Sequence, residues 1–150
     1  MQLEFNRFFH DYAAAFNRSL DASVDDQAIM SAFADHFISA GPAGVQPGSN
    51  GEEFREALHK AYAFYKQVGT RRMSVRGLNA TPIDELHSMV QVSWTADYEP
   101  RGKQPVSIDF EVTYLLQTLP GKTPRIFAFV AGDEMALLKQ RGVIDAGIAT

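Results

Sequence analysis

Apolar residues recur every three or four positions along the first twenty residues. Phe5, Phe8, Phe9, Tyr12, Phe16 and Leu20 share one side of a helical wheel. That period predicts an amphipathic helix from residue 3 to about residue 19. Ser23 followed by Asp26 reads as a capping box that opens a second helix, with Val24, Ile29, Met30 and Phe33 on its apolar side. A short apolar strand, FISA, then runs into GPAGVQPGSN, whose prolines and glycines predict a stiff, kinked loop. Ser49 or Asn50 stands where a third helix needs its cap, with Glu52 or Glu53 at the reciprocal position. Phe54, Leu58, Ala61, Tyr65 and Val68 mark the buried stripe of that helix, and Gly69 is placed to end it.

Beyond Gly69 the period shortens to two. Residues 72–80, 86–98, 105–119 and 125–132 read as strands, with clear alternation in MVQVSWTADY and VSIDFEVTYLL. YEPRGKQP and LPGKTP supply turns, and DEMALLKQRGV reads as a short last helix that stops at Gly142. There is no internal repeat. Helices followed by a meander of strands predict an α+β class rather than alternating βαβ units. The expected architecture is a single domain over residues 1–150, three N-terminal helices packed on a strongly curved antiparallel sheet. Such a sheet can hide only one face under its own helices, so a homodimer that covers the other face is expected.

Composition narrows the function. Apolar residues make up 45% of the chain, and eleven phenylalanines, five tyrosines and one tryptophan suit a cupped core or an apolar cavity. A 150-residue chain of this hydrophobicity can bury a real core. The net charge is −4 and no basic stripe appears, so nucleic-acid binding is disfavoured. There is no cysteine, which excludes thiolate chemistry and disulfides. The first residues lack the apolar core of a signal peptide, and no run reaches membrane-spanning length, so a soluble cytoplasmic protein without a membrane partner is expected. His10, His36, His59 and His87 form no pair at helical metal-site spacing, and GPAGVQPG matches no phosphate-binding fingerprint. No metal or cofactor is expected.

The order of elements, with MSAFADHFISAGP before the loop and GDEMALLKQRGVI at the end, resembles the nuclear transport factor 2-like superfamily over nearly the whole chain. That superfamily includes ketosteroid isomerases and SnoaL-like polyketide cyclases. The resemblance implies a cone-shaped, cystatin-like fold with a pocket between sheet and helices. DYAAAFN resembles the first-helix segment that carries an oxyanion-binding tyrosine, which puts Tyr12 in that role. SIDF resembles the strand segment with a protonated carboxyl, which puts Asp109 there. In GPAG, the isomerases' catalytic base position is occupied by Gly41, which cannot abstract a proton. Steroid isomerase activity is therefore not expected.

Each candidate has a structural alternative. A tyrosine on an amphipathic helix is commonly core, and Tyr12 acts in a site only if its hydroxyl faces an open pocket. Alternation puts Ile108, Phe110, Val112 and Tyr114 on one face of their strand and Asp109, Glu111 and Thr113 on the other, so Asp109 points outward if the Ile108 face is interior. Should both carboxylates reach the pocket, they would disfavour simultaneous charge and one could serve as an acid. Phe33, Phe37, Tyr65 and Trp94 are candidate pocket walls or core, and Ser39 could offer a hydroxyl from the strand leading to the loop. The function expected is binding of a small apolar molecule, with proton transfer or dehydration as its possible chemistry. The rival is a non-catalytic dimeric interaction module that uses the outer sheet face. An enclosed cavity lined by Tyr12, Phe33, Phe37, Tyr65 and Trp94 distinguishes the first from a cone filled with rings.

Overall fold

The computed structural model describes residues 2–145. The first helix, α1 (Gln2–Asp21), buries Phe5, Phe9, Ala13 and Phe16 along one stripe. Phe9 is fully buried, which is worth roughly 1.5–3 kcal/mol relative to exposure. Two amide side chains then sew α1 onto a free sheet edge. Asn17 donates from Nδ2 to the Met73 carbonyl at 2.9 Å and accepts from the Met73 N–H at 2.8 Å. Gln2 donates from Nε2 to the Leu78 carbonyl at 2.9 Å and accepts from the Ala80 N–H at 3.3 Å. Met73, Leu78 and Ala80 belong to an edge strand, so the helix satisfies backbone groups that would otherwise be open to pairing with another chain.

Ser19, fully buried, donates to the Ala15 carbonyl and accepts from the Asp25 N–H. This fixes Asp25, rather than Ser23, as the cap of α2 (Asp26–Met30), where its carboxylate accepts from the Ala28 N–H. The helix is only five residues long. Phe33, expected on its apolar side, instead opens β1 (Phe33–Gly41).

The expected kinked loop is a strand. Residues Gly44–Ser49 form β2, which turns back at Pro42-Ala43 and pairs antiparallel with β1, Gly41 opposite Gly44. Pro47 is accommodated because β2 is an edge strand, where a missing N–H breaks no central ladder. Ser49 ends β2, and the Asn50 amide donates to the carbonyls of Met30 and Phe33. Neither caps α3 (Glu52–Gln67), whose N-cap is Gly51. Gly69, at φ +88°, ends the helix turn as expected, and a Cβ there would stand 2.5 Å from the Glu99 carbonyl oxygen.

The long strands match the alternation closely: β3 (Thr70–Pro82), β4 (His87–Tyr98), β5 (Val106–Gln117) and β6 (Arg125–Ala131), followed by α4 (Glu134–Gln140). They make one six-stranded sheet in the order β2-β1-β6-β5-β4-β3. All neighbours are antiparallel except β1 and β6, which run parallel because β1 arrives from the helical side before the meander begins. Bulges in β3 and at the β5–β6 seam relax the register and curve the sheet. The main core lies between α1, α3 and the concave face. A second cluster of Ala96, Tyr98, Ile108, Leu138, Val143 and Ile144 closes the far end under α4. Among the described residues no helix is long and apolar enough to cross a membrane.

Candidate functional site

The concave face of the sheet is not filled. A cavity of about 440 Å³ lies between it and the helices, within the range of about 300–1,000 Å³ usual for small-molecule pockets. Tyr12 and Phe16 reach it from α1, Tyr65 from α3 and Phe33 from β1. The sheet contributes Trp94, Tyr98, Phe110, Val112, Tyr114 and Phe129, and α4 contributes Glu134, Leu137 and Leu138. The strand residues face inward for one reason: every second position of β4 and β5 is apolar, and alternation puts them all on the concave side.

Tyr12, Phe33, Tyr65 and Trp94, four of the residues singled out from the sequence, meet here. The Tyr12 ring lies 6.3 Å from Trp94 and 6.3 Å from Phe33, centroid to centroid. Trp94 donates its indole N–H to the Tyr114 hydroxyl at 3.2 Å. That bond leaves the Tyr114 proton free to be donated in turn. Burial pushes the Tyr12 phenol up to about 12 and also raises those of Tyr65, Tyr98 and Tyr114, so all four remain neutral hydroxyl donors near neutral pH.

Asp109 and Glu111 border the same cavity, but their carboxylates are bonded elsewhere. Both residues belong to the strand that walls the cavity, but their carboxylates lie on its far side. Asp109 accepts from Thr95 Oγ1 at 2.7 Å and lies 3.4 Å from Arg76 Nε, with 62% of its side chain exposed. Glu111 accepts from Gln91 Nε2 at 3.2 Å and from Ser93 Oγ at 3.3 Å. The apolar set Ile108, Val112 and Tyr114 takes the interior, and a two-residue period leaves Asp109 and Glu111 no choice of face. This corrects the assignment of Asp109 as a neutral acid beside Tyr12.

Phe37 and Ser39 are also displaced from the site. The Phe37 ring packs against Phe33 and Phe54 at 5.0 and 4.9 Å. It lies directly over Gly48, where an added Cβ would come within 2.5 Å of the ring. Phe37 is thus core, held beneath the β1–β2 hairpin that had been expected to be a loop. Ser39 shares the inner face, in register with Phe129, but lies beyond the residues that line the cavity. Gly41 sits at the exposed end of the hairpin. The histidines lie elsewhere, bonded to Asn6, Ser49, Asp26 and Asp84.

Glu134 is the residue the sequence did not flag. It follows Asp133, whose carboxylate caps α4 by accepting from the Ala136 N–H. An acidic residue in a first helical turn is ordinary, so nothing local distinguished it. In the fold it borders the cavity. Its side chain is exposed, yet the surrounding protein desolvates the carboxyl enough to raise its pKa. Its charge in turn helps raise Tyr65 and Tyr98, which line the same cavity. No Lys, Arg or His is among the described residues lining the cavity.

Residues 3–134 match the model of a family described as NTF2-like protein (DUF6841). No curated protein matches the chain. Several solved structures share its fold. An NTF-2 like protein of unknown function from Shewanella oneidensis superposes with a TM-score of 0.62 at 15% identity, over 87% of this chain and 97% of that one. A ketosteroid isomerase-like protein from Erwinia carotovora gives 0.59 at 12% identity, over 87% and 94%. A protein of unknown function with a cystatin-like fold from Nostoc punctiforme gives 0.57 at 16%, over 86% and 91%. At such identities the likeness is one of fold.

Proposed function

Since the chain belongs to the NTF2-like family DUF6841, we propose that its cone is a binding pocket for a small, largely apolar molecule. The observation that carries this reading is the open cavity of about 440 Å³ with aromatic walls and inward tyrosine hydroxyls. A cone built only for packing would be filled by these rings, because unfilled apolar space of this size forfeits dispersion contacts. Tyr12, Phe33, Tyr65 and Trp94 supply the walls. The hydroxyls of Tyr12, Tyr65 and Tyr98 have no hydrogen-bond partner among the described residues and can orient one polar atom of a ligand. Proton-transfer chemistry would have to run through Glu134, since Asp109 and Glu111 face away.

Binding is tested with adamantanemethanol, a compact apolar alcohol, followed by the emission of Trp94, the sole tryptophan. Saturable binding is expected in the parent protein. Ala131 lines the cavity, and Ala131→Phe should fill it and weaken binding at least about tenfold. Undiminished binding by a folded Ala131→Phe variant would put the ligand elsewhere.

The interaction-module reading keeps one supporting feature. In-register pairing puts Pro47, Ile38, Ala128, Leu115 and Met89 in a row across the outer face, beside a second row of Val45, Ala40 and Val130. Ile38, Val45, Met89 and Val130 are exposed. We take this strip as the contact for a second copy, which would leave the cone free on each protomer.

A further inference from the structure

Among the described residues the lining of the cone includes three acids and no base. Asp109 and Glu111 are bonded to Arg76, Thr95, Gln91 and Ser93, whereas Glu134 stands on the same face of α4 as Leu137 and Leu138, which line this space with it. Glu134 has no ion-pair partner among the described residues. The polar side chains that α3 and β4 bring to the same cavity, Tyr65 and Tyr98, are phenols and carry no positive charge. The remaining walls present the π faces of Trp94, Tyr12, Phe110 and Phe129.

A carboxylate set among rings is an unfavourable arrangement for a protein that binds only neutral molecules. It costs desolvation and repels electron-rich ligand oxygens. The same arrangement is favourable for one class of ligand. An ammonium group is attracted by aromatic faces and pairs with a carboxylate, and both attractions strengthen where water is displaced. We infer that the cone selects a lipophilic amine, its apolar body against the rings and its ammonium on Glu134 at the α4 side. This rests on the reading of the cone as a ligand pocket and names the chemistry it prefers.

The test compares three molecules of one shape and different charge: adamantanemethylamine, adamantanemethanol and adamantanecarboxylate, each titrated into the intact protein by calorimetry near neutral pH. The amine should bind about tenfold more tightly than the alcohol, with the carboxylate weakest. In Glu134→Gln the amine-to-alcohol ratio should fall to about one. If that variant does not fold, the parent series and its pH dependence decide. Tyr65 and Tyr98 stay protonated throughout, so lowering pH through the range of the raised carboxyl should reduce the amine's advantage and leave the alcohol unaffected. Equal affinity for amine and alcohol in the parent overturns the inference while the pocket stands. A preference that survives in Glu134→Gln overturns it as well. If none of the three binds, the pocket reading falls and the inference falls with it.

Discussion

Glu134 shows how little a residue's type says about its role. Its helix, its cap at Asp133 and its place in the first turn all suit a solvated acid. The fold instead brings it to the border of the cavity, where partial desolvation raises its pKa. The stability consequence has a definite sign. Below its unfolded pKa the group is neutral in both states and costs nothing. As pH climbs through that value, about 4.3 for glutamate, and on through the raised folded value, the folded state must ionise a desolvated group and stability falls. Glu134→Gln should therefore be more stable than the parent at about pH 7 and gain nothing at about pH 4. Glu134 is exposed, so solvent screens its charge and the gain should stay under about 1 kcal/mol. Urea midpoints at the two pH values measure it, and an equal gain at both would show that ionisation is not the cause.

The elements depend on a few polar anchors more than on their lengths. The junction of α1 and β3 is held by Asn17 and Gln2, side-chain amides that act as short stretches of strand backbone. Asn17→Ala would leave the Met73 N–H and carbonyl without their partner in a half-buried place. The expected cost is about 1–3 kcal/mol, read as a fall in the denaturation midpoint. The loss should be larger than for Gln2→Ala, whose surroundings are exposed. Equal losses would mean that burial at Asn17 contributes nothing. Tyr12 stands on the helix between these anchors, so the anchors also set the distance from its ring to Trp94.

The outer face of the sheet is divided. Toward the β1–β2 hairpin it carries the apolar rows through Ile38 and Val130; toward the other ends of β4 and β5 it carries Thr95, Asp109, Ser107 and Asp97, bonded to one another in pairs. An exposed apolar strip of this kind on a sheet suits association with another surface. With a second copy as its cover, light scattering should report a dimer at micromolar concentration, and Ile38→Glu should shift it toward monomer. A monomer across a wide concentration range would sink the dimer and leave the strip unexplained.

Much of this molecule was legible in its residues one element at a time. Period alone marked α1, α3 and the four long strands, because a helix or strand with one buried face must repeat its apolar residues at its own pitch. The same rule tied Asp109 to Ile108 without saying which of the two faces lies inside; the burial of Ile108, Val112 and Tyr114 decides it. The rule also put Tyr114 on the same face as Ile108 without showing that it would meet a cavity. What local pattern could not supply was any feature made by distant partners. GPAGVQPG looked like a loop because the pairing with β1 that makes it a strand, and the Phe37 ring that requires Gly48, both lie outside it. Asn50 looked like a cap because its acceptors, the carbonyls of Met30 and Phe33, come together only when α2 and β1 meet. The cavity is the extreme case. Whether rings fill a cone or line it depends on how far α1, α3 and α4 stand from the curved sheet. That distance is set by packing across the whole chain, and with it the placement of an ordinary helix-start glutamate at the border of a pocket.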